Sequence, residues 1–490
     1  MIAVRPVLRA TARVVVAMAA TMILPAWLDW RAGDPNWQAF ALVGSLGALG
    51  GGLVATATEG PSEPLTVEQA FLLTALLWIV APFFGALPFM IGAPHAPFLD
   101  AFFESMSGMS TTGTTVFPDL EALPPGANMW RAVLHWEGGL GIVIVAMLFL
   151  PAMRVGGMQF FRSEGFDIQS KDLPSAVALA RELTRIYILM TAACWLSFRL
   201  LGMNGYDAFF HALSTCSTGG FSNYDASFGQ HLWGAQYAAC VFMIGASVPF
   251  VRLMHLVRGN PLPLWRDPQV RAYLRWMGYA TALIVAYRVA TGQATPGEPL
   301  LGEGLIRESL FNTVSIFTGT GFGFGDIVQW GPFPLAVLFV CGLIGGCTGS
   351  TGCSVKVFRY LIVKEAIGVQ LKRMAAPNRI LPLRYDGRRL DQDVLDSVMS
   401  FMALFILTFG LLIVGLGLAG LAPRTALTAA WTAIANVGPV WGPGVGANGA
   451  VDQFPGAAKW LMVVGMYLGR LELVSVLVLL LPRFWRSQAV

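Results

Sequence analysis

Four short segments of this chain end in the same chemistry. They read DAFFESMSGMSTTG (100–113), DAFFHALSTCSTG (207–219), ESLFNTVSIFTGTG (308–321) and TALTAAWTAIANVG (425–438). Each is semi-apolar, too short to cross a bilayer, and closes on Thr-Gly or Val-Gly. The closing glycines are 106, 102 and 117 residues apart, and the DAFF tetrad recurs after 107 residues at the same place in its unit. Glycine admits backbone conformations that other residues resist, so carbonyls in such a turn can point to a common axis. A ring of carbonyl dipoles replaces the hydration shell of a small monovalent cation. A short helix leading into the turn aims its partly negative C-terminal end at the same place. One Thr-Gly pair alone reads more simply as small residues that let helices pack closely. Four at matching positions favour a pore.

The elements that must position these segments are membrane spans. The chain has 490 residues, of which 55% are apolar and 12% charged, and its mean hydropathy is +0.62. A water-soluble domain carries about twice that share of charge. Apolar runs predict ten spans, near 12–30, 38–57, 66–91, 131–153, 178–202, 232–257, 271–291, 331–362, 393–421 and 457–485. The first run continues into Trp27 and Trp30, an interfacial aromatic pair rather than a cleavage site. An even number of spans puts both termini on one side. Of 32 Lys and Arg, 24 fall in five clusters at 5–13, 154–185, 252–275, 356–389 and 483–486, all on one side of this topology. Basic short loops mark the cytoplasmic face, so both termini are expected there. Clusters recurring at span ends argue for lipid and topology rather than nucleic acid. Non-helical backbone between spans is tolerated only where it is buried or lines a watery cavity.

Several classes are disfavoured. The six cysteines lie in or beside apolar stretches without a zinc-type pair or a disulfide framework. The longest polar stretch, 364–393, is too short for a soluble nucleotide-binding domain, and glycine-rich 319–325 lacks a strand–turn–helix setting. An enzyme using His135, Glu137, His211 and His255 finds no supporting metal or nucleophile motif. A secondary transporter of another class, with broken helices holding a small solute at mid-membrane, is the alternative; it predicts inverted halves, whereas four direct units fit better.

At these residues the chain resembles the Trk/Ktr/HKT potassium transporter superfamily, in its bacterial TrkH-type branch. The resemblance covers nearly the whole chain. Its most specific stretches are ESMSGMSTTGTTVF (104–117), HWEGGLGIVIVAMLFLP (135–151), VGGMQFFRSE (155–164), FHALSTCSTGGFSNYD (210–225), GGCTGSTGCSVKVFRY (345–360) and GRLELVSVLVLLLPRFWR (469–486). It implies an all-α integral membrane protein of four pseudo-repeated helix–pore-loop–helix units around a central pore, preceded by two N-terminal transmembrane helices. The expected division is 1–60 for the two helices, then 61–165, 166–260, 261–375 and 376–490 for the four repeats. It further implies potassium as the transported ion, no cofactor in this chain, and filter segments Thr111-Thr112-Gly113, Ser217-Thr218-Gly219, Gly319-Thr320-Gly321 and Asn436-Val437-Gly438. Gly113, rather than serine, looks like the potassium-permeable type. The location implied is a bacterial inner membrane. The partners implied are a second copy, forming a homodimer, and a cytosolic nucleotide-binding regulatory subunit of the TrkA type.

The second span of the third repeat is interrupted by Gly345, Gly346, Gly349 and Gly352, too many glycines in eight residues for a regular helix. The resemblance implies an intramembrane loop that gates the pore. Lys356 follows it, and Arg470 lies inside the last span, where resemblance puts it on the pore side near the gate. A buried cation in a cation path raises a barrier; a structural ion pair is the competing reading for Arg470. Glu137, Cys347 and Cys353 depart from the family pattern. Glu137 is expected either to pair with His135 or Arg131 or to sit at a span end.

Overall fold

The computed structural model describes residues 3–60, 65–153, 156–161, 176–230, 233–293, 302–378 and 381–486. Part of the 154–185 basic cluster, part of the VGGMQFFRSE stretch and the expected unit boundaries at 61 and 165 lie outside the described residues. The fold is helical. The one sheet among the described residues is a two-stranded antiparallel hairpin, Arg384–Tyr385 with Arg388–Arg389.

Among the described residues six helices are long and apolar enough to cross a membrane: Arg5–Ala32, Trp37–Ala57, Val67–Ile91, Pro125–Leu148, Val177–Leu200 and Gln392–Leu418. Two bent pairs raise the number to as many as eight. Their outward faces carry bare aliphatic side chains, such as Leu411 and Leu418 at 63% and 85% exposure. Such a face is stable against lipid, not water. Pro268–Ala290 fills the expected 271–291 span but carries Arg271, Arg275 and Arg288. The first two N-terminal helices pack on each other and on Val67–Ile91.

After this pair the order outer helix, pore helix, extended segment, inner helix occurs four times. The pore helices are Phe98–Met109, Gly205–Cys216, Glu303–Thr318 and Pro423–Ala435. Local sequence fixes several starts. Thr66 and Gln69 form a reciprocal capping box ahead of Val67–Ile91. Asn204 Oδ1 accepts from the Asp207 amide at 2.8 Å to cap the second pore helix. Proline stands in the first turn of Pro125–Leu148, Pro268–Ala290, Pro332–Ile344 and Pro423–Ala435, where its missing N–H costs nothing.

The inner helices differ from the expectation of continuous spans. The 232–257 span bends by 109° between Gly234–Ala246 and Phe250–Val257, and the 457–485 span bends by 100° between Gly456–Arg470 and Val474–Leu480. Pro249 accounts for the first break, since it donates no hydrogen bond. The second has no proline; Glu472 and Leu473 take positive φ of 57° and 35° there. In the third repeat, Pro332–Ile344 and Val357–Ala375 are separated by an irregular loop, as the glycine-rich sequence predicts.

Candidate functional site

The four pore helices end in one backbone pattern. A residue with positive φ follows each helix: Thr111 (52°), Thr218 (52°), Gly319 (78°) and Asn436 (50°). Two residues on stands a positive-φ glycine: Gly113 (84°), Gly220 (82°), Gly321 (82°) and Gly438 (109°). The equivalent triplets are therefore Thr111-Thr112-Gly113, Thr218-Gly219-Gly220, Gly319-Thr320-Gly321 and Asn436-Val437-Gly438. The second differs from the expected Ser217-Thr218-Gly219 by one residue. Ser217 caps the pore helix instead, its Oγ donating to Leu213 O and Ser214 O at 2.8 and 3.0 Å.

These triplets close a ring. A Cβ added at Gly113 would overlap the carbonyl oxygen of Gly219; at Gly220, that of Thr320; at Gly321, that of Val437. At Gly438 it would stand 2.8 Å from the carbonyl oxygen of Thr112. Each glycine thus abuts the carbonyl of the next repeat, in the order one, two, three, four and back to one. Cross-links join the fourth repeat to the first: Thr114 Oγ1 donates to Gly438 O at 2.7 Å, and Asn436 Nδ2 to Thr112 Oγ1 at 2.9 Å. All four glycines border an outward cavity of about 530 Å³.

A feature the sequence reading missed ties each short helix to the segment beyond the ring. In every repeat a polar side chain on the pore helix binds the segment just past the filter glycine. Glu104 accepts from Val116 N at 2.9 Å. His211 Nε2 lies 3.2 Å from Ser222 Oγ, and Asp207 Oδ1 accepts from Asn223 Nδ2 at 2.9 Å. Asn312 bonds both Phe324 N and Phe324 O, at 3.2 and 2.7 Å. Thr428 Oγ1 bonds both Trp441 N and Trp441 O, at 3.1 and 2.8 Å. The sequence offered several polar residues on each of these short helices, and only the fold shows which of them reach the segment beyond. Arg131 adds a buried pair to Glu104 at 2.7 Å and donates to Ser222 O at 2.7 Å. Arg288 pairs with Glu308 at 2.8 Å. Removing one partner of such a buried pair costs about 3–5 kcal/mol.

Beneath the ring, loop 345–356 interlocks with three repeats. Cys347 N donates to Ser247 O at 2.9 Å, Thr351 Oγ1 to Ala246 O at 3.0 Å, and Phe250 N to Gly349 O at 2.9 Å. The break at Pro249 thus leaves carbonyls that the loop satisfies. Gly352 approaches Thr318 O, and Gly349 approaches Met147 Sδ. Cys353 Sγ lies 3.6 Å from Thr111 Oγ1, under the first filter. Cys347, Thr348, Ser350, Thr351 and Cys353 are all buried.

The basic residues here separate into two kinds. Lys356 is not a free cation: its Nζ pairs with Glu472 at 2.9 Å, and Glu472 also pairs with Arg359. Glu472 reaches both by leaving the helix that carries Arg470. Arg470 contacts Cys353 Sγ and donates to Thr351 O at 3.3 Å, while its Nε and Nη2 have no partner. Among the described residues no carboxylate pairs with it, against the ion-pair reading. Glu137 joins neither His135 nor Arg131 and is not at a span end: it lies within Pro125–Leu148, where its Oε1 accepts from Thr21 Oγ1 at 2.7 Å. No group of three or more His, Cys, Asp or Glu among the described residues is placed to hold a metal, so the oxygen-rich ring is the candidate cation site.

The comparisons follow the same outline. Residues 38–487 match the TrkH family, described as a cation transport protein. The chain is 35% identical over 484 residues to the Trk system potassium uptake protein TrkI of Halomonas elongata, covering 98% of this chain and 97% of that one. It is 32% identical over 489 residues to TrkH of Escherichia coli strain K12, covering 99% of each. The crystal structure of the potassium transporter TrkH from Vibrio parahaemolyticus superposes with a TM-score of 0.89 at 30% identity, covering 98% of this chain and 99% of that one. A closed ring of four glycine turns, an interlocked loop below it and these likenesses along the whole length have one common reading: the chain belongs to the TrkH family of cation transport proteins.

Proposed function

We propose that this chain conducts potassium ions through the ring of filters. The observation that carries the reading is the closed ring itself, in which the carbonyls of Thr112, Gly219, Thr320 and Val437 alternate with the glycines of the neighbouring repeats. Fixed carbonyl dipoles in a dry ring substitute for hydration water, and the weakly hydrated potassium ion loses its shell more readily than sodium. The filter residues in this reading are Thr111, Thr112, Gly113, Thr218, Gly219, Gly220, Gly319, Thr320, Gly321, Asn436, Val437 and Gly438. The relatives named as potassium uptake proteins support the choice of ion. The family is one of transport proteins, not enzymes.

In this reading loop 345–356 is the gate, with Gly345, Gly346, Gly349 and Gly352 supplying its mobility. Arg470 adds a positive barrier because its charge is uncompensated, whereas Lys356 and Glu472 form a latch at the loop's end. The repeat divisions at 60, 165, 260 and 375, the homodimer, the cytoplasmic termini and the bacterial inner membrane belong to the same proposal. So does a soluble nucleotide-binding regulatory subunit on the basic 356–389 face. The deciding experiment is flux from proteoliposomes containing the purified chain. Rubidium or potassium entry that exceeds sodium entry, with no organic solute present, is expected. Equal entry of both ions, or none without an organic solute, overturns the reading.

A further inference from the structure

The second filter differs from the other three behind the ring. At the middle position the others carry Thr112, Thr320 and Val437, all fully buried. The second carries Gly219, whose φ is not in the left-handed region, so the backbone does not require glycine there. What requires it is His135: a Cβ at Gly219 would fall on the imidazole ring. His135 belongs to the inner helix of the first repeat and is fully buried. Its Nδ1 accepts from Phe221 N at 3.4 Å and lies 3.2 Å from Ser214 Oγ. Its ring stacks on Phe221 with centroids 4.0 Å apart and planes 17° from parallel. One helical turn earlier, Arg131 lies over the other side of the same segment, 4.2 Å from the Phe221 ring, and binds Ser222 O.

We propose that His135 is a positioning residue for ion selection: its imidazole takes the place of the missing side chain at 219 and holds the Phe221 amide, fixing the second filter from the neighbouring repeat. The inference rests on the proposed potassium conduction. At the middle position three filters carry their own buried side chain, and in the second that space is filled by a ring from the neighbouring repeat. With Nδ1 accepting, the ring proton sits on Nε2 and the imidazole adds no positive charge beside the ring. A side chain that keeps both the volume and the acceptor should therefore substitute, and one that keeps only the volume should not.

The test uses the full chain in proteoliposomes, with potassium and sodium fluxes measured separately and folding followed by thermal denaturation. His135→Leu keeps bulk without an acceptor and is expected to lower the potassium-to-sodium ratio about fivefold, the effect of one lost buried hydrogen bond. His135→Gln, whose amide oxygen can accept from Phe221 N, is expected to retain most of the ratio. Gly219→Ala should abolish selective flux in the parent but be partly rescued when combined with His135→Ala, since only the ring stands in the way. A selective parent whose His135→Leu variant is equally selective overturns this inference, as does Gly219→Ala damage that is the same with and without His135. A parent that does not prefer potassium overturns the proposed function instead.

Discussion

Replacing Gly113 with serine tests the ring most directly. Gly113 has φ of 84°, a conformation that costs an L-residue about 1–2 kcal/mol. The new Cβ would overlap the Gly219 carbonyl oxygen, and that neighbour has little room to retreat. Gly219 N is bonded to Ser214 O at 2.9 Å, and His135 stands behind the residue. The strain must therefore appear as displacement of ion-facing carbonyls in the first two filters. Since about 1.4 kcal/mol is a factor of ten, strain of this size falling on the preferred ion's site lowers the potassium-to-sodium ratio roughly tenfold.

The assay is paired potassium and sodium flux into proteoliposomes at matched protein content, with melting temperature as the folding control. Gly245→Ser is the comparator, because a Cβ there meets nothing within 4 Å. Gly220→Ser should behave like Gly113→Ser, whereas Ser217→Ala should leave the ratio unchanged, as its hydroxyl donates back to its own pore helix at Leu213 O and Ser214 O. A folded Gly113→Ser protein with the parent ratio would refute the reasoning, and a large loss in Ser217→Ala would refute the register of the second filter.

The remaining predictions concern loop 345–356, its neighbours and the basic 356–389 face. Deleting 349–351 should raise basal flux while leaving the ion preference intact; unchanged flux in a folded protein would put the gate elsewhere. Arg470→Ala should raise flux severalfold and Arg470→Lys should stay near the parent, since a positive charge without a carboxylate partner repels a passing cation; lower flux in a folded Ala variant would contradict this. Glu472→Gln strands Lys356 and Arg359 and should destabilise the protein by about 3–5 kcal/mol, read as a lowered melting temperature. Purification from native membranes should bring down a soluble nucleotide-binding protein, and charge reversal across 372–389 should release it; a parent that purifies alone and whose flux ignores ATP and NADH would rule out the regulator.

What was legible in the sequence followed from local chemistry and repetition. Apolar runs predicted ten spans, where six helices among the described residues, or eight counting the bent pairs, are long and apolar enough to cross, and the glycine-rich 345–352 break emerged as an irregular loop. The second filter shows how repetition can be misread. Residues 217–220 are Ser-Thr-Gly-Gly, so matching Thr-Gly to Thr-Gly selects Gly219. The DAFF offset of 107 instead carries Gly113 onto Gly220, and the backbone agrees with the offset. A repeat is inherited as a spacing, because pore-helix length fixes which residue reaches the ring. The bend at Pro249 was also available to reading. The bend after Arg470 was not, because its cause is remote: Glu472 is drawn to Lys356 and Arg359, 116 and 113 residues away. The Glu137–Thr21 contact is hidden for the same reason, spanning 116 residues.

Those remote contacts give the lower constriction its character. Helix breaks at membrane depth leave carbonyls and amides that lipid cannot satisfy. Here the break in the second repeat offers Ala246 O and Ser247 O to the loop, and the loop returns Gly349 O to Phe250 N. The break in the fourth repeat separates Arg470, which faces the loop, from Glu472, which neutralises its far end. Moving the loop therefore exposes several buried polar groups together unless water or an ion replaces their partners. No single bond of this set can be released without stranding its neighbours, so the loop and the two breaks are coupled. Arg470 is the exception, already short of partners in this arrangement. Its unmet donors give it much to gain from hydration.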